Sequence, residues 1–180
     1  MRGAALGGLA GLWSSAVFAV VYMDVEQARK VLLPQAASFE PWPLALDAQA
    51  LAAIAAAAQG RIPPGFQPAG WVGVDAQGHH MGFVLADRVT GKYELIDYAV
   101  GFAADGSITQ VEVLAYRESH GGEIRNAAWR KQFAGRKSPG EIRFGDDIRN
   151  ISGATLSCQH VTEGVQRLSA LVGLQLKKKS

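Results

Sequence analysis

Asn150-Ile151-Ser152-Gly153-Ala154-Thr155-Leu156-Ser157 is a hydroxyl-rich, glycine-containing turn that opens directly onto an apolar-periodic run. Val161, Val165, Leu168 and Val172 follow at steps of four, three and four, the spacing of one helix face. Ser152, Thr155 and Ser157 therefore stand at or just before a helix N-terminus. Unpaired backbone N–H groups and the positive end of the helix dipole favour a phosphate at such a place. A threonine there can hydrogen-bond a phosphate or be esterified to one; its plainer role is that of an N-cap.

Upstream of this turn the period is that of strands. Trp71 to Val74, a turn at Asp75 to Gly78, and Met81 to Leu85 predict a hairpin. Glu94 to Phe102 predicts a third strand, and Asp105-Gly106 a tight turn into a fourth, Ile108 to Tyr116. Successive strands joined by short turns imply antiparallel pairing. Ile124, Ala127, Ala128 and Lys131 predict a helix, with Trp129 and Phe133 on a neighbouring stripe and Gly135 at its end. The expected class is α+β: an antiparallel sheet of about four or more strands, flanking helices, and a C-terminal helix after the Ser-Gly-Ala-Thr turn.

Nearer the N-terminus, Asp24-Val25-Glu26-Gln27 has the form of a capping box, with Ala28, Val31 and Leu32 following at helical spacing before Pro34. Phe39 to Pro43 reads as a turn-rich link. Asp47 caps an alanine-rich helix from Ala48 to about Gln59, closed by Gly60. That helix has high propensity but little to bury, and either packs closely on a neighbour or serves as a mobile arm. Arg2 followed by an apolar run from Gly3 to Met23, with Ala16-Val17-Phe18-Ala19 near its end, has the form of a secretory signal peptide cleaved after Ala19. The alternative is an uncleaved membrane anchor, for which Gly3, Gly7, Gly8 and Gly11 are poor material. The expected division is a leader over 1–19, an N-terminal helical segment over 20–66, and the domain bearing the turn over 67–180.

Composition narrows the function classes. The 180 residues suffice for a domain with its own core, and a formal net charge of +2 gives no nucleic-acid footprint. Lys177-Lys178-Lys179 is read as a solvated helix end that suits the dipole. Cys158 is the only cysteine, so neither an intrachain disulfide nor a cysteine-based metal site can form. At a helix start its thiol pKa can be lowered; a small buried filler is the commoner fate. His79-His80, at a hairpin tip with no carboxylate at useful spacing, is not expected to bind metal.

Ser152-Gly153-Ala154-Thr155-Leu156-Ser157 resembles the flavin-attachment motif of the FMN-binding domain family, which includes periplasmic subunits of the Rnf and sodium-pumping NADH:quinone oxidoreductase complexes. The resemblance extends over roughly residues 70 to 172. Asp105-Gly106-Ser107-Ile108 with Val111 to Leu114 is similar to the family's turn and strand. Glu118-Ser119-His120-Gly121-Gly122-Glu123 stands where members carry a Glu-Thr-Pro-Gly-like loop. Trp129 with Gln132-Phe133-Ala134-Gly135 resembles a Trp-x-x-Gln-Phe-x-Gly segment. Many members have aspartate six residues before the modified threonine; here that residue is Arg149, with Asp146 and Asp147 close by.

The resemblance implies FMN joined through its phosphate to Thr155 by a separate flavin transferase, with Ser152, Gly153, Ala154 and Ser157 around the phosphate. It implies that Glu118, Ser119, His120 and Gly121 lie against the flavin ring. Lys92 either reaches a phosphate or reduced flavin, or is a solvated turn residue. Trp129 either stacks on the ring or fills the core beneath it, the core being favoured. The expected function is extracytoplasmic electron transfer with a membrane-bound redox partner, since no acid–base pair or substrate pocket declares itself and one flavin can pass single electrons. A secreted small-ligand or partner-binding module of the same fold is the alternative. A hydrolase built on the hydroxyl-rich turn lacks a convincing base and orienting acid.

Overall fold

The computed structural model describes residues 20–179, so the expected leader lies outside the described residues. Its elements are β1 (Val20–Val21), α1 (Val25–Leu32), β2 (Ser38–Pro41), α2 (Ala48–Ala58), β3 (Ala69–Val74), β4 (His80–Thr90), β5 (Leu95–Ala103) and β6 (Ile108–Tyr116). After these come α3 (Ala127–Arg130), between short 3-10 turns at Gly122–Arg125 and Lys131–Phe133, another such turn at Pro139–Glu141, and α4 (Thr155–Lys179). The six strands form one antiparallel sheet in the order β1-β6-β5-β4-β3-β2. The fold is α+β with the C-terminal helix in its expected place.

Alternation along the strands divides the sheet's two faces. Phe83, Leu85, Ile96, Tyr98, Val100 and Val113 point to one side and join Val161, Val165, Leu168 and Val172 of α4 in the main core. Val84, Ala99 and Leu114 point to the other side and are covered by Ala28 and Leu32 of α1 and by Leu33. The capping box is present: Asp24 Oδ1 accepts from Gln27 N at 2.7 Å, and Asp24 N donates to Gln27 Oε1 at 3.2 Å. Helix α2 packs against α4, burying Ile54 and Ala58. Close packing, not a mobile arm, is its role.

Three expectations are corrected here. Within the expected link of Phe39 to Pro43, residues 39–41 belong to edge strand β2, where Pro41 is tolerated because an edge strand need not donate on its open side. The helix expected across residues 124–131 is broken. Asn126 adopts φ −56° and ψ 123°, and its side chain caps α3 by accepting from Ala128 N. His79 does have a carboxylate partner, since the turn returns Asp75 Oδ2 to 2.9 Å from its Nδ1. Among the described residues there is still no group of three His, Cys, Asp or Glu side chains placed to hold a metal, and no helix long and apolar enough to cross a membrane.

The β6 edge beyond the two-residue β1 is satisfied by the segment that follows it. Ile108 N donates to Arg136 O, Gly135 N to Ile108 O, and Arg130 Nη1 to Val111 O, each within 2.7–2.8 Å. The same segment leads into the candidate site, so pairing this edge also places the site. At the start of β6, Asp105 accepts from Ser107 N and Oγ and from Lys137 Nζ. The bonds from Ser107 and the nearby ammonium hold its carboxyl down at about 2, against an ordinary 3.8. The folded pKa is the lower one, so this stabilisation is present above pH 3.8 and is lost as pH falls toward 2. Asp105→Asn should lower the urea midpoint at pH 6, and the gap to wild type should close between pH 4 and pH 2, roughly the span of the two pKa values. A gap that persists at pH 2 would show that the turn depends on something other than the charge.

Candidate functional site

The turn from Asn150 to Ser157 is held from behind. Trp129 Nε1 donates to Arg149 O at 2.8 Å, and Arg149 N donates to Gln132 Oε1 at 2.8 Å. The Trp-x-x-Gln pair therefore grips one residue of the incoming chain by both its backbone groups. Phe133, edge-on to Trp129 at 5.2 Å, anchors the grip in the core. Trp129 is itself 4% exposed and lies beneath the site as core. The side chain of Arg149 is exposed, so the family's missing aspartate concerns what this position displays to solvent, not how the backbone runs.

From Arg149 the chain turns through Gly153, whose φ of 86° suits glycine, and Ala154 N closes the turn on Ile151 O at 3.0 Å. Helix α4 then begins at Thr155 itself. Ser152, Gly153 and Thr155 are exposed, and Thr155 Oγ1 accepts from Asn150 Nδ2 at 2.9 Å. That bond uses an oxygen lone pair and fixes the rotamer, leaving the hydroxyl proton free. The first N–H groups of the helix have no intrahelical acceptor. An exposed, oriented hydroxyl thus sits beside free donors and a positive dipole end.

Ser157 departs from expectation. It is 5% exposed, and its Oγ lies 3.0 Å from the Tyr116 hydroxyl, which donates to His120 O at 2.5 Å. The tyrosine proton is engaged with His120, so Ser157 donates to Tyr116. This chain of hydroxyls ties the first turn of α4 to the 118–123 loop and leaves Ser157 turned away from solvent. Cys158, next to it, is fully buried, and burial pushes its thiol pKa up. It is a buried filler, not a reactive thiol.

The loop itself approaches closely. A Cβ at Gly121 would lie 2.5 Å from the Tyr116 hydroxyl and 3.3 Å from Ala154 Cβ, and φ there is 89°. Only glycine lets this loop meet the helix start. Glu118 is committed elsewhere: its Oε1 accepts from Tyr93 N at 2.6 Å and Glu94 N at 3.0 Å. It holds the 91–94 turn against the loop, with Gly91 leaving room for the carboxylate. Lys92 is exposed on that turn, with Nζ over the Tyr93 ring at 4.9 Å. Ser119 and His120 are exposed and bonded to each other, Oγ to Nδ1, at 3.1 Å.

Glu118→Ala should free two N–H groups of the turn, costing about 1–2 kcal/mol. Amide exchange at Tyr93 and Glu94 should then speed up by about tenfold or more, while β5 stays protected. Unchanged exchange at those two amides would show that the turn holds without the carboxylate.

One residue was missed in the sequence. His160 Nδ1 lies 2.6 Å from Thr90 O and 3.1 Å from Gly91 O, so the proton is on Nδ1, and α4 is pinned to the same turn. Its five-residue offset from Thr155 carried no signal, because the contact is made across the sheet end.

Ser119 to Glu123 and Gly153 border a shallow recess of about 510 Å³ beside Thr155. Gly122 faces it with no positive φ and nothing within 4 Å of a Cβ built there. No part of the chain requires glycine at that position, which fits a flat group lying close to the backbone. The donors and the open floor suit a phosphate at the helix start and a planar ring beside it. A larger groove of about 1040 Å³ contains none of residues 118–123 or 149–157.

Residues 91–170 match the model of the FMN-binding domain family. No curated protein matches the chain. The matched stretch spans the Glu118 clamp, the Tyr116 and Ser157 hydroxyls, the Trp129–Gln132 grip and Thr155. Over these residues the chain is similar to the FMN-binding domain family, and the match supports FMN as its cofactor.

Proposed function

We propose that this protein is an extracytoplasmic electron carrier whose FMN is joined through its phosphate to Thr155. The observation that supports this most is the exposed Thr155 hydroxyl, oriented by Asn150 at the first residue of α4. Bound FMN supplies one- and two-electron redox chemistry. The residues of this chain would hold it. Ser152 and the first N–H groups of α4 would take the phosphate oxygens, and the helix dipole would offset their charge. The Ser119–Gly122 backbone would border the ring. Among the described residues no base is bonded to Thr155, and none is needed where a transferase supplies the activated flavin. A tether also keeps a soluble cofactor at high effective concentration where a released one would be lost by dilution. The electron donor and acceptor are proposed to be membrane-bound.

The test is intact mass of the full gene product made in a host with an active flavin transferase, together with its visible spectrum. Mass should exceed that of the processed polypeptide by one FMN less one water, and flavin absorption should survive denaturation and desalting. Colourless protein made beside a flavinylated control substrate would favour a binding module without covalent flavin.

Gly122→Ala is a separate probe of the ring's place. It should leave stability unchanged or raise it by about 0.4–1 kcal/mol, since the new methyl meets nothing in the chain. If the ring lies over Gly122, the same variant should shift the flavin's absorption maximum or fluorescence yield. An unaltered spectrum would move the ring elsewhere.

A further inference from the structure

The larger groove has a floor that the flavin reading leaves unexplained. Arg167 of α4 is 7% exposed, and its Nε–H is buried without a hydrogen-bond partner. Among the described residues its guanidinium forms no hydrogen bond or ion pair. It stacks over Phe66 at 5.9 Å and feels Asp87 electrostatically. A buried donor with no acceptor is costly, because this N–H has lost water and gained nothing.

Its neighbours do not supply the acceptor. Arg88 and Arg117 are both paired with Asp97, at 3.0 and 2.7 Å. Asp87 takes its hydrogen bond from the Tyr98 hydroxyl at 2.9 Å, and burial raises its carboxyl above the ordinary range, which weakens its claim on Arg167. Arg61 is exposed at the rim and keeps its water. Met23, Ile62, Phe66, Val89 and Leu95 give the groove an apolar body.

We propose that this groove binds a small organic carboxylate with an apolar tail, its acid group taken by Arg167. A planar guanidinium fork matches a carboxylate in shape and charge. The groove's four arginines and four acids balance, so a single added negative charge suits it and a dianion such as phosphate does not. The volume lies at the upper end of the range for small-ligand sites. The site stands on its own residues and does not depend on flavin attachment.

The experiment is isothermal titration of the full chain with butanoate, octanoate, octanol, octylamine and inorganic phosphate. Octanoate should bind, and each methylene added between butanoate and octanoate should tighten binding by up to about fourfold. Octanol and octylamine should bind at least about tenfold more weakly than octanoate, and phosphate more weakly still. Arg167→Met should weaken octanoate by about tenfold or more. Should that variant fail to fold, Ile62→Glu at the half-buried edge should weaken octanoate about fivefold or more while the thermal midpoint holds. The proposal is overturned if octanoate fails to bind the folded full chain. Equal binding of octanol or octylamine, tighter binding of phosphate, or indifference of octanoate affinity to Ile62→Glu would also overturn it.

Discussion

Thr155→Ala should remove covalent flavin completely, and the mass should fall by one FMN less one water beyond the threonine-to-alanine difference. The fold should barely respond. The side chain is exposed and its one hydrogen bond is to Asn150, so the change in stability should stay within about 1 kcal/mol. Thr155→Ser probes the partner enzyme, since serine offers the same hydroxyl without the methyl that limits its rotamers. Partial attachment to serine would mean that the transferase reads the surrounding loop as well as the acceptor. If the wild type itself carries no flavin, Arg149 is the first residue to change. Its backbone is gripped by Trp129 and Gln132 whatever the side chain, so Arg149→Asp alters only what is displayed to the transferase. Flavin retained in Thr155→Ala after denaturation would place the attachment elsewhere and sink the proposal.

Gly164→Ala should be among the most damaging single substitutions in the protein. Helix α4 crosses β5 so closely there that a Cβ would lie 2.3 Å from the Tyr98 hydroxyl and 2.8 Å from its ring carbon. Tyr98 is fully buried and its hydroxyl donates to Asp87, so it cannot swing aside without breaking that bond. Overpacking of this kind costs about 1–3 kcal/mol, and leaving the half-buried Asp87 without its donor adds about 1–3 more. The Gly164→Ala/Tyr98→Phe double variant separates the two parts. Removing the hydroxyl relieves the clash, so the pair should be less destabilised than the sum of the singles by about 1 kcal/mol or more in urea titrations. Strict additivity would mean that the helix shifts bodily and that the hydroxyl is not the obstacle.

The parts of this fold that were legible in sequence are those where one physical rule acts alone. Strand β6 was predicted over Ile108 to Tyr116 as it is found, because alternation and the Asp105-Gly106 turn agree. The face of α4 was legible because Val161, Val165, Leu168 and Val172 keep their period and are all buried. Strand β2 was not legible: four residues ending in proline carry too little alternation, and its pairing is decided by β3 across the chain. The break at Asn126 was hidden because its apolar neighbours keep helical spacing on both sides of it.

Within the site, the turn and the loop could be named from their residues, but not the direction in which each side chain points. Ser157 and Thr155 are both hydroxyl residues of one helix turn. One faces solvent and the other faces Tyr116, a difference set by packing against β6. Glu118 likewise read as a ring contact, yet its carboxylate goes to the Tyr93 and Glu94 amides, a partnership 25 residues away that no local pattern encodes.

Strand β1 pairs Val20 with Tyr116 and Val21 with Ala115. β1 therefore lies directly on the strand that leads into the 118–123 loop. Mechanically, a load applied to β1 would be borne first by these two residue pairs. The first of these involves Tyr116, whose hydroxyl bridges the 118–123 loop and the start of α4. Tension on β1 would be felt where that loop meets the helix start. The sheet edge and the candidate site would then yield together, as parts of one frame.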